Sequence, residues 1–326
     1  MVNKRRWNYY RRIAAAYVVK RPSHLTFWHE KPEINPQVQP NVLGPYYMSF
    51  RHKADYAVCM DQDGIPLLNY HGSIGTQYNP IAIAQYGLGN YNLYKSLNSS
   101  ERADAFFRVA NWLVANLQQN KEGLWVWNHH FDWEYRTPLK APWYSGLAQG
   151  QGISVLVRAF KESNESRYLE AASRALESFF HNIDAGGVIF HDESGQLWLE
   201  EYIVRPPTHI LNGFIWASWG LYDCSLLGAD KRSKETFDQC VATLRANLCK
   251  FDIGYWSLYE LAGTRLHMIA SPFYHSLHIA QLRIMEMLTG ERIFAEFAER
   301  WERYERNPIK RTAALAYKAL FKVCYY

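Results

Sequence analysis

From residue 78 to the C-terminus, apolar side chains recur at helical spacing in stretches separated by only a few residues. This periodicity predicts helices over 80–91, 100–117, 145–161, 166–182, 208–227, 233–248, 272–289, 292–304 and 309–322. Start and stop residues bracket several of them: Ser166 with Glu170 following, Ser233 with Glu235, and Gly290 after a Met-rich helix. Segments of strand or turn character, 123–133, 186–191 and 197–202, fall between pairs of helices. Helix pairs joined in this way point to a mainly α fold, an incomplete α/α barrel (toroid). No strict sequence repeat accompanies it, so the reading rests on the order of elements. A toroid gathers the N-termini and loops of its inner helices around a central groove, which is where chemistry would be expected.

The N-terminal region is of another kind. Pro22, Pro32, Pro36, Pro40 and Pro45 punctuate residues 1–54, with bulky Trp28, Tyr46 and Tyr47 between them, as in an arm laid across a larger body. Over 56–70, two apolar runs flank Asp61-Gln62-Asp63-Gly64, a β-hairpin signal. The same residues raise a calcium loop, but the distal bidentate Glu of an EF-hand is missing, and a turn is the better reading. The expected division is therefore an arm and hairpin over 1–70 and a catalytic barrel over 71–326.

A hydrophobic content of 48% supplies a large core, while aromatics reach 16%, with 12 Trp and 23 Tyr. Such rings build either a Tyr/Trp-rich core or a groove that stacks sugar rings, since each offers an apolar face with a polar tip. A net charge of +5 neither demands nor excludes a polyanionic partner. No nucleic-acid motif and no arginine stripe is present. The 5 cysteines are odd in number and read as reduced core thiols, not a disulfide framework. The basic N-terminus carries an apolar run, 13–19, too short for a secretory signal and ended by Lys20 and Arg21. No stretch approaches the length of a membrane span, so a cytoplasmic location without membrane contact is expected.

The candidates for chemistry sit on loops and helix starts. In 199–223, adjacent Glu200, Glu201 and Tyr202 precede a proline pair, Pro206 and Pro207, and a helix expected to start near Thr208 as N-cap. His209 and Asn212 would then share one face of its first turn. An acidic, phenolic strand end beside a helix N-terminus is unusual for packing alone. In 143–152, WYSGLAQGQG, Gln149 and Gln151 follow Trp143, Tyr144 and Ser145. Amides and aromatic faces suit sugar hydroxyls and rings, although the glycines equally suit a helix start packed closely on a neighbour. Tyr78 stands in a further polar, glycine-containing segment, 76–89. The last cluster holds Tyr259, Arg265, Tyr274, His275, His278 and Gln281. Tyr274, His278 and Gln281 share a helix face, as a functional stripe or a hydrogen-bonded core stripe; a zinc reading of the histidine pair lacks partner ligands. Nucleophile elbow, P-loop and dinucleotide fingerprint are all missing. The residues alone describe an all-helical carbohydrate-active protein: hydrolase, lyase, epimerase or binding module.

Several strings together resemble the D-glucuronyl C5-epimerase family, which acts on heparosan and heparan sulfate precursors. They are YNPIAIAQYGL (78–88), WYSGLAQGQGISVLVRA (143–159), EEY with LNGF and GLYD (200–223), SLYEL (257–261), YHSLHIAQL (274–282) and IFAEFAERWERY (293–304). The resemblance implies an α/α barrel whose catalytic groups are Glu201, Tyr202, Tyr259 and Tyr274. It implies substrate contacts from the segment around Trp143 to Ser145 and from Asn212, with Tyr78, Tyr144, Gln149, His209, His275 and His278 as further candidates. It implies a heparosan-like acidic polysaccharide as partner, no organic cofactor, room for a structural calcium that no residues here place, and pairing into a homodimer. One position departs: the family's arginine three residues after the first later tyrosine is Ala262 here, and Arg265 lies three further on. Inverting C5 of a uronate requires removing a proton on one face and returning one on the other. Tyr274 and Glu201 are expected in those roles, with Tyr259 and Tyr202 steadying them and Arg265, His275 or Asn212 holding the carboxylate. A tyrosine acting as base would need cationic neighbours, expected to be Arg265 and the histidines. A lyase sharing the first step, or a non-catalytic glycan-binding protein, are the alternatives.

Overall fold

Why the chain closes into a ring follows from which helices are apolar on every side. The computed structural model describes residues 31–325, apart from His71, Glu134, Arg136 and Ala229. In chain order its helices are α1 (Arg51–Ala54), α2 (Pro80–Leu97), α3 (Ser100–Ala115), α4 (Gly146–Ser163) and α5 (Ser166–Leu176). Then come α6 (Leu211–Leu227), α7 (Lys231–Asn247), α8 (Pro272–Thr289), α9 (Arg292–Arg306) and α10 (Pro308–Tyr325). Helix α4 is buried without interruption from Gly146 to Ala159, and α6 from Leu211 to Cys224. By contrast α5 buries one stripe (Tyr168, Ala171, Ala172, Ala175, Leu176), as does α9 (Phe294, Phe297, Ala298, Trp301). A helix apolar all round needs neighbours on all sides, whereas an amphipathic one needs a single support. Accordingly α2, α4, α6 and α8 pack side by side as an inner row, with α3, α5, α7 and α9 each backing one of them. This is the expected incomplete α/α toroid.

The side left open is filled by the N-terminal segment. Helix α1 packs on α2, and Lys53 donates to Gln85 of that helix. Met48, Phe50 and Lys53 share a recess with Trp216 of α6 and with Phe273 and Leu277 of α8. Asn92 fixes the approach by accepting the Tyr46 N–H (2.6 Å) and donating to the Met48 carbonyl (2.9 Å). The described portion of the expected arm is thus built into the core; its residues 1–30 lie outside the described residues. Asp61 accepts the N–H groups of Asp63 and Ile65, making 61–64 a turn. Only one bridge, Met60 to Pro66, follows it; β1 (Leu68–Asn69) pairs instead with β2 (Thr76–Gln77). Two more hairpins, β3 (Gln118–Gln119) with β4 (Trp125–Val126) and β5 (Ile189–His191) with β6 (Leu197–Leu199), lie between helix pairs.

The tightest crossing is α4 on α6. A Cβ at Gly150 would lie 2.6 Å from the Ala217 Cα, and one at Gly220 would lie 2.5 Å from the Gly150 carbonyl oxygen. Of the glycines of LAQGQG, Gly150 therefore serves backbone approach, and Gly152 makes room for the Trp127 ring, 2.5 Å from where its Cβ would lie; both fit the close-packing reading of the sequence. Beyond the crossing, Arg158 and Asp223 form a fully buried bidentate pair (2.6 and 3.0 Å). The Tyr47 hydroxyl and the Gly44 carbonyl complete its hydrogen bonds, which such a buried pair requires.

Several boundaries differ from expectation. Helix α6 begins at Leu211, not 208, and α7 is capped by Asp230, not Ser233. Helix α5 starts at Ser166 after Glu165 and tightens into a 3₁₀ turn over Glu177–Phe180. Of the cysteines only Cys224 and Cys240 are core thiols; Cys249 and Cys324 are exposed. Among the described residues no helix is long and apolar enough to cross a membrane.

Gly150→Ala should destabilise the protein by about 2 kcal/mol or more, because the added methyl must push the α4 and α6 backbones away from each other. Gly263→Ala, whose methyl would meet nothing within 4 Å, should change stability by less than about 0.5 kcal/mol. Denaturant unfolding of both variants measures the difference; equal effects would refute the crossing as described.

Candidate active site

Strand β6 delivers Glu200 and Glu201 to the start of α4 and α6. The Glu200 N–H donates to the Val188 carbonyl (2.9 Å), and its own carbonyl accepts the Gly146 N–H (3.1 Å). A Cβ at Gly146 would stand 2.5 Å from that carbonyl oxygen, so only glycine lets α4 begin here. The Glu200 carboxylate, fully buried, turns back toward the approach to α6. It accepts the N–H groups of Thr208 and His209 (3.1 Å each) and contacts His209 Nδ1 at 2.5 Å. His209 lies at φ +49°, its ring stacked on Trp198 with centroids 4.3 Å apart. The expected Thr208 cap and the shared His209–Asn212 helix face are thereby corrected. A buried carboxylate is a stronger acceptor than a threonine hydroxyl, and it holds two consecutive N–H groups in a bend that a helix would not permit.

Alternation along the strand sends Glu201 the other way, onto the first turn of α6. Its carboxylate occupies the space over Gly213, where a Cβ would lie 2.2 Å from Oε2. Asn212 Nδ2 reaches it at 3.4 Å. Burial pushes the Glu201 carboxyl up to about 8, and Glu260 and Glu200 add to the rise; hydrogen bonds from Tyr202 and Asn212 oppose it.

The segment carrying Tyr259 runs beside the same approach. The Leu211 N–H donates to the Tyr259 carbonyl (3.1 Å), and the Leu261 N–H donates to the Thr208 carbonyl (3.0 Å). Tyr259 is buried with Ile210, Met268 and Phe321, and Tyr202, Tyr135 and Tyr274 pack around this group. Tyr274 sits in the first turn of α8, where Ser271 caps its N–H. Its ring meets Tyr259 edge-on, with centroids 4.8 Å apart. Tyr202 meets Tyr135 at 4.7 Å and Trp143 at 5.8 Å. Burial first, and then the Glu201 charge, hold the Tyr202 and Tyr259 phenols well above the ordinary tyrosine range. Three separate stretches of chain therefore bring Glu201, Tyr202, Tyr259 and Tyr274 into one cluster.

Other sequence candidates do different work. Trp143 joins the cluster, stacked at 3.8 Å on buried His129 and donating to the Phe131 carbonyl. Tyr144 donates to the Gly187 carbonyl (3.2 Å), and Ser145 is the N-cap of α4. Gln149 is a fully buried peg that accepts the Trp127 N–H and donates to the Trp125 and Ala175 carbonyls and to Ser178 Oγ, so its amide is engaged within the wall. Tyr78 stands apart, donating to Asp61 (2.6 Å). His275 is stacked on Trp256 and bonded to Ser257 Oγ and the Trp301 carbonyl. His278 is buried behind it, its Nδ1 also on Ser257. Burial lowers His275 to about 4 and His278 as well, so both are neutral imidazoles. Arg265 is exposed on the loop after Ala262. The cationic neighbours expected for a tyrosine base are therefore not supplied by these three residues. Gln281 donates to the Asn212 carbonyl (3.0 Å), joining α8 to α6. Among the described residues no three His, Cys, Asp or Glu side chains gather as a metal site.

Sequence reasoning missed Tyr135, whose hydroxyl donates to Glu260, and Glu260 itself, inside the SLYEL string. It also missed Lys318 and Phe321 of α10, which bury against the tyrosines. Only the burial of a lysine-bearing helix face could have pointed to α10.

Glu201 keeps its proton up to about 8 in the native protein, against 4.5 in an ordinary environment. Its contribution to stability is thus fully present below 4.5 and lost as pH rises through about 8. Glu201→Gln, neutral throughout, should gain on the order of 5 kcal/mol on the wild type across that window, about 1.4 kcal/mol per pH unit, and no more above it. Unfolding free energies from pH 5 to 9 measure this; a constant difference would contradict the raised value.

Comparison with known proteins bears on the whole arrangement. The chain is 33% identical over 220 residues to D-glucuronyl C5-epimerase of Caenorhabditis elegans, covering 63% of this chain and 35% of that protein. It is 25% identical over 179 residues to an uncharacterised protein of Methanocaldococcus jannaschii, covering 54% of this chain and 56% of the other. The chain thus spans only 35% of the length of the first relative and 56% of the second. Cellobiose 2-epimerase from Spirochaeta thermophila shares the fold, with a TM-score of 0.50 at 13% identity over 78% of this chain and 65% of that one. The family described as D-glucuronyl C5-epimerase C-terminus matches residues 119–303, more than half of the chain and including Glu201, Tyr202, Tyr259 and Tyr274, and the chain belongs to it.

Proposed function

We propose that this chain inverts C5 of D-glucuronic acid, giving L-iduronic acid, within a heparosan-like acidic polysaccharide. The observation that carries this reading is the convergence of a buried carboxyl, Glu201, with the phenols of Tyr202, Tyr259 and Tyr274. Binding a sugar requires aromatic faces and amides. Moving a proton across a ring requires an acid and a base, and this cluster holds both.

The electrostatics favour a particular division of labour. Removing the hydrogen alpha to a carboxylate demands a base stronger than an ordinary carboxylate at neutral pH. Glu201 raised to about 8 meets that demand in its ionised form. The tyrosines, pushed in the same direction by burial and by Glu201, stay protonated and serve as O–H donors. In this reading Glu201 takes the C5 proton, and the Tyr274 hydroxyl returns one from the opposite face. Tyr259, edge-on to Tyr274, steadies that ring, and Tyr202 hydrogen-bonds Glu201. Trp143 beside Tyr202 offers a face for the sugar. A tyrosinate base, the sequence expectation, is disfavoured because the charges nearest Tyr202 and Tyr259 include the Glu201 carboxylate.

Incubation with glucuronate polymers in heavy water, followed by NMR, tests the reading. Deuterium at C5 in chains of unchanged length is the expected result, across a panel that includes heparosan and its N-sulfated form. Shortened chains with unsaturated, UV-absorbing ends would make the protein a lyase, and binding without exchange would make it a glycan-binding protein. Tyr274→Phe should lower exchange by about 100-fold or more while unfolding at nearly the same temperature. In the wild type, kcat/KM should rise about tenfold per pH unit and level off above about 8, since the base must be ionised. Activity that falls over that range would remove Glu201 from the role of base.

A further inference from the structure

Tyr202 hydrogen-bonds Glu201 from a stretch without regular structure, past the end of β6. A side chain in such a stretch takes its direction from tertiary contacts. Two rings supply them, and both come from one ribbon of chain between β4 and α4: Tyr135, with its centroid 4.7 Å from that of Tyr202, and Trp143, at 5.8 Å. The arms of the ribbon pair through backbone hydrogen bonds at His129 with Trp143 (2.6 and 3.1 Å) and at Trp133 with Leu139 (2.9 and 3.1 Å). Trp143 is rooted beside the N-cap of α4, Ser145. Tyr135 lies beyond the second pairing, at an outer end flanked by the exposed side chains of Asp132 and Lys140.

Glu260 ties that outer end to the body. It is 2% exposed, and its carboxyl accepts the Tyr135 hydroxyl. Backbone hydrogen bonds fix it on both sides: the Tyr259 carbonyl accepts the Leu211 N–H (3.1 Å), and the Leu261 N–H donates to the Thr208 carbonyl (3.0 Å). The anchor is therefore tied to the same approach to α6 that sets Asn212 and Gly213 against Glu201. Packing alone would be satisfied by an apolar pair at 135 and 260. A buried carboxyl is costly, and more so near Glu201, whose proton it helps to retain. Direction accounts for its presence: a phenol–carboxyl hydrogen bond sets a distance and an angle, which apolar contact does not.

We propose that Glu260 and Tyr135 are a pair of positioning residues for C5 inversion: Glu260 holds the Tyr135 hydroxyl, and the Tyr135 ring holds Tyr202 where its own hydroxyl meets Glu201. This rests on the functional reading above. Neither residue touches the sugar in this role. They act through Tyr202, so their loss loosens the donor that orients the base and leaves the binding surface as it was.

Tyr135→Phe keeps the ring and removes the hydroxyl, and Glu260→Leu removes its acceptor. On glucuronate polymer each should lower kcat for C5 exchange about tenfold with KM within about twofold of the wild type. Because the two act as a unit, the double variant should fall no more than about twofold below the weaker single one. Glu260→Gln, whose amide oxygen still accepts the phenol, should recover most of the loss seen with leucine. Losses that multiply in the double variant, a raised KM with kcat unchanged, or wild-type kinetics in Tyr135→Phe would each overturn the proposal. Should Glu260→Leu fail to fold, the kcat and KM of Tyr135→Phe decide the matter alone. Carbon-13 spectra of tyrosine-labelled protein separate this proposal from the function it rests on, with the Tyr202 ring signal assigned by its loss in Tyr202→Phe. If the wild type exchanges no C5 hydrogen on any polymer, the functional reading fails. A Tyr202 signal that moves in Glu260→Leu and returns in Glu260→Gln would still support the pair as what places that ring, and a signal unmoved by leucine would overturn it.

Discussion

A carboxyl group buried where no described cation pairs with it sets the character of this site. Glu201 rests on the first turn of α6 in a space that exists only because residue 213 has no side chain. Its hydrogen bonds come from neutral donors, Tyr202 and Asn212, and the charges nearest it are those of other carboxylates. Desolvation therefore dominates, and the proton is held into the neutral range. An arginine at hydrogen-bonding distance would reverse this and leave an ordinary ionised carboxylate. The arrangement costs stability, as raised carboxyls in native proteins do, and such costs gather where chemistry is done.

The ring of helices is what makes the burial sustainable. The α4–α6 crossing brings two backbones together through Gly150 and Gly220, and Gly146 admits the end of β6 at the start of the same helix. Glu200 then clasps two N–H groups ahead of α6, which fixes where that helix begins and where Asn212 and Gly213 lie. Because Tyr259 bonds its carbonyl to Leu211, the tyrosine segment is tied to the same point. Glu200 and Glu201 are neighbours in sequence with opposite tasks: the first organises backbone, and the second is left short of partners.

Much of the fold could be read from residues alone because the helices carry their own punctuation. Pro272 with Ser271 before it and Gly290 after it delimit α8 as expected, and Ser145 caps α4. The start of α6 was misjudged because its approach is organised by Glu200, a contact over eight residues that periodicity does not register. Glu201, Tyr202, Tyr259 and Tyr274 were legible as chemically unusual residue types at loop and helix ends, and through resemblance. Gln149 and His275 were polar for a different reason: each satisfies backbone or hydroxyl groups inside a wall, and sequence cannot tell a peg from a ligand. Tyr135 and Lys318 escaped notice because they reach the cluster only through tertiary packing, from a loop and from the final helix.

The account turns on the protonation of one side chain, and that can be observed without substrate. Carboxyl carbon-13 shifts of glutamate-labelled protein, with the Glu201 signal assigned by its loss in Glu201→Gln, should show this group titrating near 8. A midpoint close to 4.5, the ordinary value, would mean that water or a cation reaches the carboxyl, and the acid–base division drawn from its burial would be wrong.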